Sequence, residues 1–192
     1  MKYQDIEHCV IIFIIDASES MRGAKIRTVN SAIEEVIPEL KDIAEASCDV
    51  DLELNILKIS DSARWLYNDI CKIDSFKWHE IHASGDRNVG MALKELDHQL
   101  RYGRFFTYNK KYLRPIVFLL TDGSSDDDYT ESLNLLENNM FFIKAKRVGV
   151  AIGIDADREF LTDFTGNEEQ VITVLTPEVL KKWIQFEELE DK

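Results

Sequence analysis

The sequence predicts a doubly wound α/β fold: a mostly parallel central sheet with one antiparallel edge strand and helices on both faces. Three observations carry this expectation. Two short runs, Ile11–Ile15 and Ile116–Leu120, are continuously apolar and rich in β-branched residues, as strands buried on both faces are. Segments with apolar residues three and four apart lie between the strands and read as amphipathic helices. Each of the two runs ends in a polar, Asp-bearing loop, and open sheets place ligand sites at the carboxyl ends of their strands.

Taken in order, residues 8–15 form the first strand, followed by the loop Asp16–Ser20. From Gly23 the pattern turns helical, with Ile26, Val29, Ile33, Val36, Ile37, Leu40 and Ile43 on one face. Pro38 is expected to kink or split that helix, because proline lacks the N–H the ladder needs. Residues 51–59 alternate polar and apolar and predict a half-buried strand at a sheet edge. Ala63–Tyr67 returns after the Ser60-Asp61-Ser62 turn as the antiparallel strand of a hairpin. A helix runs from Val89 to about Phe105, and the strand Ile116–Leu120 ends in Thr121-Asp122-Gly123. The polar loop Ser124–Asp128 leads to a helix through Glu137. A strand over Arg147–Ile152, a helix over Asp157–Phe164, a strand over Val171–Leu175 and a closing helix capped by Thr176 complete the chain.

A length of 192 residues suits one domain spanning 1–192, and no linker or repeat divides it. The net charge of −13 argues against nucleic acid, whose phosphates demand a basic surface, and against anionic membranes. Cys9, Cys48 and Cys71 have no paired or metal-binding spacing, which suits reduced thiols. The amino terminus is polar and acidic, unlike a secretion signal, and no apolar run approaches the roughly 20 residues of a membrane span. A cytoplasmic protein of bacterial style is the expectation.

Right-handed crossovers bring three loops to one edge of such a sheet: Asp16–Ser20, Gly85–Asn88 and the loop holding Asp122. The Asp16-x-Ser18-x-Ser20 loop offers one carboxylate and two hydroxyls, the oxygen ligands that Mg²⁺ or Mn²⁺ prefer. Asp122 adds a further carboxylate, so Asp16, Ser18, Ser20 and Asp122 are the candidate metal ligands.

In these motifs the chain resembles the von Willebrand factor type A domain with its metal-ion-dependent adhesion site. The stretch Ile15-Asp16-Ala17-Ser18-Glu19-Ser20-Met21-Arg22-Gly23, with Asn88-Val89-Gly90 and Leu119-Leu120-Thr121-Asp122-Gly123, is similar to the TerY group of bacterial domains associated with tellurite resistance. The resemblance implies a non-enzymatic module that binds a protein partner. It also implies a stress-response system whose other members include a protein kinase and a metal-dependent Ser/Thr (PP2C-type) phosphatase. The partner is expected at Arg87, Asn88 and Ser124.

One departure stands out. Such sequences place a metal-binding Thr in the second loop, and aligning Asn88-Val89-Gly90 puts Arg87 there. A guanidinium about 4 Å from Mg²⁺ meets roughly 8 kcal/mol of repulsion at an effective dielectric of 20. Two arrangements follow. In one, Arg87 replaces the cation and bridges Asp16 and Asp122, leaving a metal-free site. In the other, Arg87 extends into solvent, and water or Asn88 fills the missing coordination place.

The remaining motifs carry less. His79 and His82 are three apart but read as exposed polar residues, and Asp126–Asp128 reads as a helix cap near the site rim. Trp65, Trp78 and Trp183 read as core or rim aromatics. Two other functional readings stand beside the binding module. One is a Mg²⁺-dependent phosphohydrolase using Asp16, which lacks its second carboxylate because position 18 is Ser. The other is a structural subunit with a vestigial site.

Overall fold

The computed structural model describes residues 6–47, 49–103, 105–107, 109–123 and 125–179. Among the described residues, eight strands form one sheet. They are β1 (Glu7–Asp16), β2 (Val50–Ile59), β3 (Ala63–Trp65), β4 (Cys71–Lys72), β5 (Lys111–Tyr112), β6 (Ile116–Thr121), β7 (Lys146–Ile152) and β8 (Val171–Val174). The order across the sheet is β3-β2-β1-β6-β7-β8, with β4 also paired to β2 and β5 to β1. Among the described residues only the pairings of β3 and β4 with β2 are antiparallel. The helices are α1 (Ala24–Ala46), α2 (Val89–Tyr102), α3 (Thr130–Leu136), α4 (Met140–Lys144) and α5 (Glu159–Thr165). The fold is the mixed, doubly wound α/β architecture that the sequence predicts.

β1 lies at the centre, and its side chains alternate between two cores. Ile11, Phe13 and Ile15 face α1, against Ile26, Val29, Ile33, Val36 and Leu40. Ile12 and Ile14 face α2 and α5, against Val89, Leu93, Leu96, Phe160 and Phe164. Phe13 pairs in register with Phe118 on β6, and their rings stack at 4.9 Å. Burial on both faces is why β1 is apolar without alternation.

β2 departs from expectation. It is an interior strand with Leu52 to Leu57 all buried, not a half-exposed edge. Its polar residues are buried because partners reach them. Glu53 receives the Lys110 ammonium at 2.7 Å, and Asn55 donates its amide to the Tyr67 and Asp69 carbonyls. Polar alternation there marks internal hydrogen bonding, not solvent.

α1 runs unbroken through Pro38, so the expected split does not occur. Pro38 lies on the exposed face, where the carbonyl that its missing N–H leaves free is open to solvent. α2 ends at Tyr102 rather than Phe105, and α3 at Leu136 rather than Glu137. α4 was not anticipated; the Asn139 side chain caps it by accepting from the Phe141 and Phe142 N–H groups. α5 spans Glu159–Thr165 instead of Asp157–Phe164. Pro177–Val179 continue helically after Thr176, while Cys48, Ser124 and Trp183 lie outside the described residues. No helix among the described residues is long and apolar enough to cross a membrane.

Candidate functional site

The three expected loops do meet at the carboxyl edge, and backbone bonds hold them in contact. The Ser84 N–H donates to the Ala17 carbonyl and the Glu19 N–H to the Gly85 carbonyl, both at 2.8 Å. Gly85 adopts φ +81° directly against the Asp61 carboxylate, where a side chain has neither a relaxed backbone nor space. The second and third loops clasp each other as well. The Arg87 N–H donates to Asp126 Oδ2 at 2.8 Å, and the Asp126 N–H returns to the Arg87 carbonyl at 2.9 Å.

α2 begins without a capping side chain of its own. Asp127 supplies the cap from across the edge, accepting from the Gly90 N–H at 2.8 Å and the Met91 N–H at 3.1 Å. A Cβ on Gly90 would sit 2.6 Å from the Asp128 carbonyl, so the approach requires glycine. Asp128 in turn accepts from the Thr130 N–H at the start of α3, which holds its carboxyl below the usual range. Asp127 and Asp128 thus serve helix starts at the rim, as the sequence suggests, while Asp126 clasps the Arg87 loop.

Asp16, Ser18, Ser20, Arg87 and Asp122 converge within this frame. Asp16 is fully buried. Its Oδ1 accepts from the Ser18 N–H at 2.8 Å, and its Oδ2 accepts from Thr121 Oγ1 at 2.6 Å and from Arg87 Nε at 2.7 Å. Arg87 Nη2 donates to Asp122 Oδ1 at 2.6 Å and also to Ser20 Oγ. Ser20 Oγ donates to Asp122 Oδ1 at 2.8 Å and lies 3.1 Å from Ser18 Oγ. The other oxygen of Asp122, Oδ2, pairs with the Lys25 ammonium.

The guanidinium is therefore folded inward, with its side chain only 10% exposed. Gly123 makes room for it: a Cβ there would lie 2.6 Å from Arg87 Nη1. The inward arrangement, not the solvent-directed one, is what the structure shows. Asn88 is half-buried and donates its amide to the Asp61 carbonyl. Exposed positive charge at this point comes from Lys25, 39% exposed at its side chain, rather than from Arg87.

A dication does not fit these residues. Both carboxylates already hold cations, Ser20 is bonded to the guanidinium, and position 87 offers no hydroxyl. Two carboxylates face two organic cations, so the charge is already balanced. Among the described residues no group of three or more His, Cys, Asp or Glu is arranged to hold a metal ion.

Lys25 and Thr121 escaped the sequence reading as members of the site. Lys25 carried a signal: it is a cation in the first turn of α1, where the helix dipole disfavours positive charge and no acid accompanies it. Thr121 precedes Asp122 on β6, and its side chain is fully buried between the two carboxylate loops. His79 and His82 are exposed, as expected. The Trp65 indole N–H donates to Glu95 at 2.8 Å, tying β3 to α2.

Solved structures share this architecture. A von Willebrand factor type A protein from Catenulispora acidiphila superposes with a TM-score of 0.65 at 17% identity, over 95% of this chain and 42% of that one. Proximal thread matrix protein 1 from the mussel byssus, described with a zinc-occupied metal-ion-dependent adhesion site, gives 0.64 at 16% identity, over 95% and 45%. The pilus adhesin SpaC of Lactobacillus rhamnosus GG, in an open conformation, gives 0.66 at 10% identity, over 96% and 30%. The chain spans less than half the length of each of these proteins. No curated protein sequence matches it. The profile of the von Willebrand factor type A domain matches residues 11–185, and the chain belongs to that family.

Proposed function

We propose that this domain is a non-enzymatic protein-interaction module whose carboxyl-edge site works without a metal ion. Domains of this family generally mediate protein interactions, often through a metal-ion-dependent adhesion site. In this chain Asp16, Ser18, Ser20 and Asp122 would be the ligand positions of that site, with Arg87 in place of both the usual Thr and the ion. The observation that carries the reading is the guanidinium bridge from Asp16 to Asp122. The binding edge is then the rim around the buried bridge, Asn88 included. The TerY-like motifs favour a stress-response setting, with a protein kinase or a metal-dependent Ser/Thr phosphatase as the partner class.

A phosphohydrolase using Asp16 finds little support. The carboxylate is fully buried, both its oxygens are hydrogen-bonded, and no second acid stands two residues on.

The test is thermal unfolding of the chelator-treated domain with and without Mg²⁺ and Mn²⁺, alongside equilibrium binding to the kinase and phosphatase in chelator. An unchanged midpoint with retained binding supports the reading. Metal binding to the native state must raise the midpoint by mass action, so a rise in the wild type overturns it.

A further inference from the structure

We infer that Lys25 and Arg87 form a two-part replacement for one dication, with Lys25 excluding metal even where position 87 carries a hydroxyl. The inference rests on the metal-independent reading above and extends it to a residue on a different element. Arg87 comes from the loop before α2 and takes Asp16 Oδ2 and Asp122 Oδ1. Lys25 comes from the first turn of α1 and takes Asp122 Oδ2. Together they supply two positive charges, the charge of one dication, to two carboxylates.

The position of Lys25 needs an explanation of its own. α1 follows Gly23, which offers no side-chain cap, and its first turn holds no acid. An ammonium there opposes the helix dipole. Asp122, with its side chain 3% exposed, supplies the compensating charge. The aliphatic stem is directed as well: Lys25 Cε lies 3.5 Å from where a Cβ on Gly153 would stand, so the β7–α5 loop backs it. Removing Arg87 alone takes the guanidinium off Asp16 Oδ2 and Asp122 Oδ1, which keep only their hydroxyl donors Thr121 and Ser20, but leaves an ammonium on the remaining oxygen of Asp122. A dication entering then loses that oxygen and meets a fixed positive charge.

Four proteins decide the matter: wild type, Lys25→Met, Arg87→Thr and Lys25→Met/Arg87→Thr, each unfolded thermally across a Mg²⁺ and Mn²⁺ series after chelator treatment. The double variant is expected to gain a metal-dependent midpoint rise on the order of 5 °C, with little or none in either single variant. Equal rises in Arg87→Thr and the double variant overturn the role of Lys25 while leaving the metal-free wild type intact. No rise in a folded double variant also overturns the inference. A rise in the wild type defeats the underlying reading instead.

Because Arg87→Thr bares a buried carboxylate and can fail to fold, a second comparison keeps position 87 native. Lys25→Met is expected to lower the midpoint by roughly 2–4 °C, and not to lower it in an Asp122→Asn background. An equal fall in both backgrounds, or no fall in the first, shows that Lys25 does not act through Asp122.

Discussion

Arg87 Nε sits 2.7 Å from Asp16 Oδ2, joining residues 71 positions apart in a pair that water barely reaches. Charges withdrawn from water interact strongly, but each also loses hydration, so such a pair adds little net stability while its rupture is costly. Replacing Arg87 with Leu should destabilise the domain by about 3–5 kcal/mol, because Asp16 stays buried without its partner. Denaturant unfolding gives the value. Adding Asp16→Asn to that variant should recover part of the loss, and a purely additive double variant would contradict the pairing.

Gly123 is expected to be intolerant of even one methyl group. Its Cβ position lies 2.6 Å from Arg87 Nη1, and the guanidinium is fixed by two carboxylates. Gly123→Ala should cost about 1–3 kcal/mol through overpacking. The same substitution in an Arg87→Leu background should cost less, which equilibrium unfolding of the four proteins measures.

Asp127 closes the first turn of α2 from a loop 37 residues further on. Asp127→Ala should lower stability by about 1 kcal/mol, as loss of a helix cap does. Hydrogen exchange at the Gly90 and Met91 amides should accelerate with it, and unchanged exchange would assign the loss elsewhere.

The alkaline limit of stability should carry a contribution from Tyr129. Burial, and then its hydrogen bond to Asp163, push its phenol up to about 12 from an ordinary value of 10.0. The folded state therefore keeps this proton longer than the unfolded chain. Its stabilisation is complete below about pH 10 and is lost as pH rises from there towards 12. Tyr129→Phe should flatten that part of the stability profile, and ultraviolet titration of the phenolate follows the group directly.

Sequence reading reached some of these relationships and missed others for definable reasons. β1 and β6 were legible because burial on both faces leaves an uninterrupted apolar run. Arg87 stood out because its type conflicts with the motif around it, but the sequence leaves open both a bridge between the carboxylates and an extension into solvent, and only the fold turns the side chain inward. β2 was misjudged because alternation reports polarity, not exposure. Glu53 and Asn55 are buried by partners from Lys110 and from the Tyr67–Asp69 turn, which no spacing within β2 reveals. Lys25 reaches Asp122 across 97 residues, and the side chain of Asp127 reaches a helix it does not belong to. Contacts of that kind depend on how loops are brought together, which local pattern does not encode. α4, only five residues long, is too short for periodicity to declare itself.

The inward guanidinium changes the thermodynamic character of the edge. A bound ion exchanges with the medium, so the fraction of molecules ready to engage a partner rises and falls with ion concentration and competes with every chelator present. A cation attached through its own backbone has no dissociation constant. On the metal-independent reading proposed above, its occupancy would be settled when the chain folds, and the number of competent edges would equal the number of folded molecules. Such a domain would give up one means of being switched and gain indifference to the ionic supply around it.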